Sequence, residues 1–449
     1  MTVFVERCSL KTNSTSIDSP AETMAGSASR SSIRTVTGAR RAAHLNKNKL
    51  NVLVVADVSP LQTTGGSARV VREQALGLSA LGHSVQVLCR QPSGDLLPAG
   101  AMNGVPLKQY RVSRAHPLSY ASSSILGARG LFRDHFVERD WDVVLFNQPF
   151  SAVGVQSVLP SSVPRIYCFY SPAGTEYRLR AADPGNGRAP VGTTLVSGLL
   201  RRLERRALGA SDRIVVLSDF SRKLLSESHG ELDAPTVVIP GGVDLVHFQP
   251  AGNRAAVRDT LRLPRNRLLL LTIRDLEQRM GIDTFLRALR ELPAGPTYQC
   301  LIGGSGPLRG FLEKLAADLG LAERVRFLGF IPEEELPLYY QAADLFVLPT
   351  RCHEGFGLVT VEALACGTPV VATPAGATPE ILGPLDPRLL ASDVGETALA
   401  ETLIRALPFT GQEGFRRACR AYVENNYSWG RHVQRLEGEL HLVTARRPS

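Results

Sequence analysis

Short apolar runs of strand length alternate with longer helical segments from Asn51 onward. The first run, 51–57 (NVLVVAD), precedes a glycine pair at Gly65 and Gly66, and an amphipathic segment follows over 68–81. An apolar run bounded by turns is typical of a strand buried on both faces, and strands that alternate with helices predict a parallel sheet covered on both sides. The other strands predicted in this half lie at 85–88, 143–146, 165–169, 214–217 and 236–239.

The alternation begins again after 248–250, where a polar, arginine-rich stretch follows. A chain of 449 residues exceeds what one hydrophobic core usually serves, so two domains are expected. We place them at 49–247 and 248–426, followed by a last segment at 427–449. Residues 1–48, rich in Ser, Thr, Ala and Arg, are predicted to form a disordered extension. The strands predicted in the second domain lie at 268–273, 298–302, 325–328, 345–348 and 370–372.

The charge and the cysteines narrow the class of protein. Of the formal net charge of +9, the first 50 residues hold +5, so the rest of the chain is only mildly basic. Because no basic stripe with interleaved aromatic residues is present, the sequence does not favour a nucleic-acid partner. The seven cysteines are widely spaced and odd in number, which is typical of reduced thiols. With no apolar run long enough to cross a bilayer and no signal-peptide core, a cytoplasmic location is predicted.

Two glutamates frame one apolar helix. Glu354 precedes a turn that contains Gly355 and Gly357, and Glu362 is the only charge within the predicted helix 358–366. That helix has no polar face at helical spacing, so it should be buried nearly all round. A lone buried carboxylate is costly unless it is paired or hydrogen-bonded, and ligand hydroxyls could supply the partner. The free N–H groups at the helix start would suit a phosphate.

A structural role for both glutamates stays open at this point. Glu354 could merely complement the helix dipole, and Glu362 could pair with an arginine elsewhere in the chain.

The segment EGFGLVTVEALACGTPVVATPAGATPEIL resembles the E-x7-E signature of family 4 retaining glycosyltransferases, which have the GT-B fold. The resemblance implies an α/β fold of two doubly wound, Rossmann-like domains that face a central cleft, with a last helix that returns to the first domain. It also implies that Glu354 lies near the donor sugar and that Glu362 holds the ribose hydroxyls. The amides that meet the diphosphate and the sugar would then belong to Gly355, Phe356, Gly357 and Leu358.

Further residues match the family on the phosphate side. Arg274 and Arg279 resemble its pair of cations, and such groups at the carboxyl end of a strand suit the ligand crevice of an α/β domain. They would stabilise the departing diphosphate, although Arg274 could instead pair with Asp275 or Glu277 at the surface. Gly304 belongs to a loop that resembles the family's GxGP loop. Gly65 and Gly66 would let amides approach a diphosphate at a helix start.

The acceptor side departs from the family. Asn147 and Tyr170 stand where many members carry histidines, and neither side chain serves as a base near neutral pH. The departing phosphate would then take the acceptor's proton, as the front-face mechanism of retaining GT-B enzymes implies. No metal is expected: Asp140-Trp141-Asp142 spells a DxD motif, but it is interpreted as an acidic turn before a strand.

The predicted activity is therefore metal-independent, retaining transfer of a sugar to a hydroxyl acceptor. The co-substrate is a nucleoside-diphosphate sugar, with UDP-sugar favoured over GDP-sugar and no further cofactor. Two alternatives stay open: a nucleotide-sugar-binding protein without transfer, and another GT-B enzyme such as a sugar-nucleotide epimerase. The arginine-rich helix at 199–206 could contact a membrane surface, but packing of its leucines on the sheet is favoured.

Overall fold

Two parallel β-sheets organise the chain in a computed structural model, which describes residues 49–62, 65–92, 100–113, 115–181, 192–292 and 297–445. The predicted extension at 1–48 lies outside these residues. The first sheet has the strand order β3-β4-β2-β1-β5-β6-β7-β8, and only β3 runs antiparallel to its neighbour. Its strands are Asn51–Ala56 (β1), Ser84–Arg90 (β2), Ala101–Met102 (β3), Val105–Tyr110 (β4), Val143–Phe146 (β5), Arg165–Phe169 (β6), Arg213–Val216 (β7) and Thr236–Val238 (β8).

Both faces of the first sheet are covered, as its apolar strands require. Along β1, Val52 and Val54 belong to one hydrophobic cluster, while Leu53 and Val55 belong to the cluster on the opposite face. This division follows from the alternation of side chains along a strand. The helices of this part are Gly66–Ala80 (α1), Pro117–His135 (α2), Pro149–Gln156 (α3), Ala173–Ala181 (α4), Thr193–Gly209 (α5) and Asp219–His229 (α6).

The second sheet has the order β11-β10-β9-β12-β13 and is parallel throughout. Its strands are Leu268–Ile273 (β9), Tyr298–Gly303 (β10), Val325–Gly329 (β11), Leu345–Leu348 (β12) and Val370–Ala372 (β13). The accompanying helices are Arg254–Thr260 (α7), Ile282–Glu291 (α8), Arg309–Asp318 (α9), Leu336–Ala342 (α10), Leu358–Ala365 (α11), Thr378–Leu382 (α12), Glu396–Ala406 (α13) and Glu413–Asn426 (α14). Short 3-10 helices lie at Gln278–Met280, Pro387–Leu389 and Leu407–Phe409.

The last helix, Trp429–Ala445 (α15), packs against α1 of the first part. The contact is close, since a Cβ added at Gly77 of α1 would lie 2.4 Å from Cγ2 of Val433. Just before α15, the amide of Val243 donates to the carbonyl of Tyr427 over 2.8 Å. The chain therefore crosses twice between the regions built on the two sheets.

The predicted α/β fold with two doubly wound sheets is confirmed, and each strand predicted from an apolar run is present within two residues of its predicted ends. β3 and β4 are not predicted, because β4 (VPLKQY) alternates buried and exposed residues instead of forming an apolar run. Helix α11 is buried from Thr360 onward, as its lack of a polar face requires. Among the described helices, none combines the length and the apolar character needed to cross a bilayer.

The acidic turn at 140–142 and the arginine-rich helix at 199–206 both make contacts within the protein. In the acidic turn before β5, Asp142 accepts a hydrogen bond from the amide of Asn51 over 2.7 Å, which is a structural use of this carboxylate. On α5, Leu200 packs inward, whereas Leu199 is 40% exposed and Arg201 and Arg202 face solvent. The leucines of this helix therefore divide between the interior and the surface.

Candidate functional site

The order of the strands places a crevice in each sheet. In the first sheet β1 lies between β2 and β5, and in the second sheet β9 lies between β10 and β12. At such a switch point the connections leave in opposite directions, which opens a crevice at the carboxyl ends of the strands. Asp57 and Asn147 follow β1 and β5, whereas Arg274 and Thr350 lie just beyond β9 and β12. Two of the predicted site residues, Asn147 and Arg274, thus lie at the two switch points.

Glu354 and Arg274 form a buried ion pair. An Nη2 atom of Arg274 lies 2.5 Å from Oε2 of Glu354, and the two side chains are 8% and 11% exposed. The same carboxylate oxygen accepts a hydrogen bond from Thr350 over 3.4 Å. Surface pairing of Arg274 with Asp275 or Glu277, the alternative left open by the sequence, is not what the structure has. A buried pair of this kind fixes the orientation of both groups.

Gly304 brings the loop after β10 against the backbone of Arg274. Its φ of +119° lies outside the region that L-residues favour, and a Cβ at this position would lie 1.8 Å from the carbonyl oxygen of Arg274. The amide of Arg274 donates to the carbonyl of Gly303 over 3.0 Å. The glycine therefore serves to position Arg274.

Arg279 lies next to His353, the residue before Glu354. Nη1 of Arg279 lies 3.4 Å from the carbonyl oxygen of His353, and its Nε lies 3.5 Å from a carboxylate oxygen of Glu277. His353 has a φ of +56°, which is uncommon for a residue with a side chain. Its buried Nδ1 makes no hydrogen bond within the protein, and burial lowers the pKa of its imidazole, so the ring is neutral at neutral pH.

The start of α11 faces the start of α1. Gly357, with a φ of +94°, precedes α11, and Gly65, with a φ of +95°, precedes α1. A Cβ at Gly66 would lie 3.4 Å from Cδ1 of Leu358, so the two helix starts approach each other closely. Unpaired N–H groups and the positive ends of two helix dipoles converge here, an arrangement that favours an anionic ligand.

Glu362 is paired with an arginine of the first part. Its carboxylate, 2% exposed, contacts Nη1 of Arg69 on α1 and accepts a hydrogen bond from the hydroxyl of Tyr340 over 3.0 Å. Arg69 also lies 3.3 Å from Glu333, which binds Arg72 as well. The arginine partner that the sequence left open thus exists. It links α1 to the second sheet's helices across the cleft.

One cavity of about 610 Å³ collects the residues predicted for the donor. Glu354, Arg274 and Arg279 line it together with Glu362. Its walls also include Gly65, Gly66, Gly304, Gly355, Phe356, Gly357, Leu358 and Tyr170. The carboxylates, the guanidinium groups and the two helix starts therefore face a single space that is large enough for a nucleotide-sized ligand.

Asn147 lies on the wall of a second cavity of about 740 Å³. Its Oδ1 accepts a hydrogen bond from the hydroxyl of Tyr170, while its buried Nδ2 has no partner within the protein. Tyr170, Glu176 and Arg279 line both cavities, so the two spaces adjoin. Asn147 and Tyr170, the two predicted acceptor-side residues, are thus in contact with each other.

Sequence reasoning missed Arg69, Tyr340 and His353. Arg69 follows Gly66 by three residues in the first turn of α1, so the glycine pair already pointed to this part of the helix. His353 directly precedes Glu354, and only its side chain type could have drawn attention to it. Tyr340 comes from α10, and no local pattern distinguishes it from an ordinary core residue.

Within the described part of the chain, one group of side chains has the spacing of a metal site. The potential ligand atoms of His83, Glu437 and His441 lie within 4.8 Å of one another. Nδ1 of His83, however, accepts the amide hydrogen of Leu50 over 3.1 Å. The proton of the neutral ring must then sit on Nε2, which donates to Glu437 over 3.0 Å. The group therefore joins α15 to the first sheet and leaves His83 no lone pair for a metal.

Two family sequence models match this chain in separate halves. The model described as "Glycosyltransferase Family 4" matches residues 64–247, and the model described as "Glycosyl transferases group 1" matches residues 253–425. Together they span both switch points.

Named relatives and solved structures agree with these matches. A D-inositol 3-phosphate glycosyltransferase of Kineococcus radiotolerans is 30% identical over 331 residues, which cover 70% of this chain and 73% of that protein. A GDP-mannose-dependent alpha-(1-6)-phosphatidylinositol monomannoside mannosyltransferase of Mycolicibacterium smegmatis is 37% identical, but the match covers only 39% of this chain and 48% of that protein. Sucrose-phosphate synthase from Thermosynechococcus elongatus has the same fold, with a TM-score of 0.73 at 22% identity over 88% of this chain and all of that one.

Proposed function

Because the chain belongs to glycosyltransferase family 4 and is a glycosyltransferase, we propose that it transfers a sugar with retention of anomeric configuration and without a metal ion. The donor is a nucleoside-diphosphate sugar, and the acceptor carries a hydroxyl group. One observation carries the proposal: the Glu354–Arg274 pair, Arg279 and the facing starts of α1 and α11 line a single cavity.

Each group has a distinct task in this reaction. The diphosphate lies at the facing helix starts, where N–H groups and the dipoles stabilise its charge. Arg279 supplies a guanidinium to the phosphate that departs, because its own protein contacts are long. Glu354, held by Arg274 and Thr350, orients the sugar and stabilises the positive charge that develops on its ring.

In the proposed step the bond between the anomeric carbon and the phosphate oxygen breaks. The acceptor oxygen then bonds to the same face of the anomeric carbon. The acceptor's proton passes to the departing phosphate oxygen, so no protein base is required. Positioning and charge stabilisation are the main contributions of the protein.

The proposal is tested by the product and by its metal requirement. The enzyme is incubated with UDP-hexose or GDP-mannose and an acceptor, and the anomeric configuration of the product is read by NMR. Retention and an unchanged rate in excess EDTA are expected, since arginines and helix starts offset the phosphate charge. Inversion would contradict the retaining mechanism, and a rate restored only by a divalent ion would contradict metal independence.

Glu362 is proposed to hold the ribose hydroxyls of the donor. Replacing Glu362 by glutamine should weaken donor binding about 10-fold, with little change in kcat, because hydrogen bonds to a charged group contribute about 1.5–3 kcal/mol. Binding is measured by calorimetry with UDP- and GDP-sugars. The sequence favours UDP, and one relative is named for GDP-mannose, so both belong in the comparison.

The matched control for Glu362 is Glu333→Gln. Glu333 also pairs with Arg69, but it is not on the wall of the donor cavity. If Glu362 acts only by linking α1 to the second sheet's helices, the two substitutions should weaken donor binding equally. An unchanged affinity in Glu362→Gln would argue against the ribose role altogether.

A further inference from the structure

The cavity beside the donor site has walls of a different chemistry. It measures about 740 Å³ and adjoins the donor cavity at Tyr170, Glu176 and Arg279. Aromatic and aliphatic side chains provide most of its surface: Tyr120, Phe150, Tyr167, Tyr170, Tyr177 and Leu200. The rings of Tyr120 and Phe150 meet edge to face with their centroids 5.7 Å apart. Such a surface suits an apolar or aromatic ligand body.

Two buried carboxylates stand in the wall, and both accept hydrogen bonds from the protein. Asp57 accepts hydrogen bonds from the amides of Phe150 and Ser151 over 2.9 and 2.7 Å, and from the hydroxyl of Tyr110 over 2.9 Å. Glu204 accepts from the amide of Ala173 over 3.0 Å and contacts His229 at the same distance.

These carboxylates disfavour an anionic ligand. Burial raises the pKa of both Asp57 and Glu204. An added anion in the same enclosed space would raise those pKa values further and would be repelled by whatever negative charge they keep. Among the described residues that line this cavity, the one guanidinium belongs to Arg279, at the border with the donor cavity.

A buried donor without a protein partner points to the polar end of the ligand. Nδ2 of Asn147 is buried, lines this cavity and has no partner within the protein. The residue is 1% exposed, so an unfilled hydrogen bond here costs free energy. An ether, carbonyl or hydroxyl oxygen of a ligand would satisfy this amide.

We propose that the acceptor is an uncharged hydroxyl compound with an aromatic or aliphatic body, and that Nδ2 of Asn147 donates to one of its oxygens. The inference rests on the proposed function, since it assigns the second cavity to the acceptor of that reaction. It separates this chain from relatives named for D-inositol 3-phosphate, a phosphorylated polyol.

Four probes separate charge from apolar character. They are 4-nitrophenyl glucoside, its 6-phosphate, myo-inositol and D-inositol 3-phosphate. Binding is measured by NMR or calorimetry with the full chain saturated with UDP, so that neither the donor's identity nor turnover enters the result. We expect 4-nitrophenyl glucoside to bind best and its phosphate at least 10-fold more weakly. Stronger binding of D-inositol 3-phosphate than of both neutral probes would overturn the proposal. A failure of the proposed function is distinguishable, because it would appear in the separate donor-binding and transfer assays as no binding of nucleotide sugars or no transfer.

Substitutions assign the probe to this cavity. Leu200→Ala should weaken binding of 4-nitrophenyl glucoside several-fold, whereas Leu199→Ala on the same helix should leave it unchanged, because Leu199 is 40% exposed and does not line the cavity. Equal effects of the two would contradict the assignment. If Leu200→Ala fails to fold, Tyr177→Ala, at a partly exposed wall position, replaces it.

Asn147 is tested in the same assay. Asn147→Asp removes the unused donor, keeps the shape of the side chain and adds a negative charge. It should weaken 4-nitrophenyl glucoside binding about 10-fold, because the probe's oxygen would then face a carboxylate. Donor binding should stay as in the wild type. Unchanged probe affinity in this variant would contradict the role of Nδ2.

Discussion

Replacing Glu354 by glutamine should lower kcat about 100-fold or more while donor binding changes little. The substitution keeps the shape of the side chain but removes the charge that faces the developing positive sugar in the proposed reaction. A preorganised electrostatic contact of this type is worth about 100- to 1,000-fold in rate. Transfer is measured under single-turnover conditions, which separate chemistry from product release. Near-wild-type turnover would contradict the assignment of Glu354.

The stability of this variant needs its own measurement, because Glu354 also neutralises Arg274. Removing one partner of a buried pair can cost about 3–5 kcal/mol, mainly because the remaining charge stays unpaired. The double substitution Glu354→Gln with Arg274→Met should therefore recover part of the free energy of unfolding and none of the transfer rate. Recovery of both would indicate that Glu354 acts through folding alone.

Asp344→Asn provides the matched control. Asp344 is also buried and pairs with Arg254 and Arg258, each over 2.7 Å, but it does not line the donor cavity. This variant should lose stability comparably and keep its kcat at temperatures where it is folded. The comparison separates the loss of a buried carboxylate from the loss of this particular one.

The sequence predicts the fold well because both sheets are parallel and covered on both faces. Their strands must then be continuous apolar runs such as 268–273, and such runs are visible without any tertiary information. The edge hairpin of β3 and β4 is missed for the converse reason. Its residues alternate between solvent and the interior, and strands of two and six residues with such a pattern do not stand out from a loop.

The site is predicted less completely than the fold. One short segment holds Glu354, Glu362 and the glycines between them, so their proximity follows from the local sequence. The partners of these carboxylates come from elsewhere: Arg274 follows β9, and Arg69 lies on α1, 293 positions from Glu362. The Arg69–Glu362 pair depends on how the regions built on the two sheets meet, and the Arg274–Glu354 pair depends on β9 lying beside β12. A single sequence holds no direct signal for either pairing.

Arg279→Ala should lower kcat/KM about 100-fold without a large loss of stability. Its side chain is 15% exposed and its protein contacts are long, so truncation leaves no buried carboxylate without a partner. Its guanidinium borders both cavities, where the departing phosphate and the incoming hydroxyl meet in the proposed reaction. The loss is expected in kcat more than in donor affinity, because the phosphate gains charge as the sugar departs.

Two further variants make the assignment of Arg279 specific. Arg279→Lys should recover only part of the rate, because an ammonium keeps the charge but not the planar, two-pronged donor geometry of a guanidinium. Arg287→Ala on α8 is the control. Arg287 is 44% exposed, and its Nε lies 3.8 Å from a carboxylate oxygen of Glu396 in a weak surface pair. If Arg279→Ala and Arg287→Ala have equal rates, the phosphate must be stabilised by the helix starts alone. A rate in Arg279→Lys equal to that of the wild type would mean that charge suffices and that the guanidinium makes no paired contact with the phosphate.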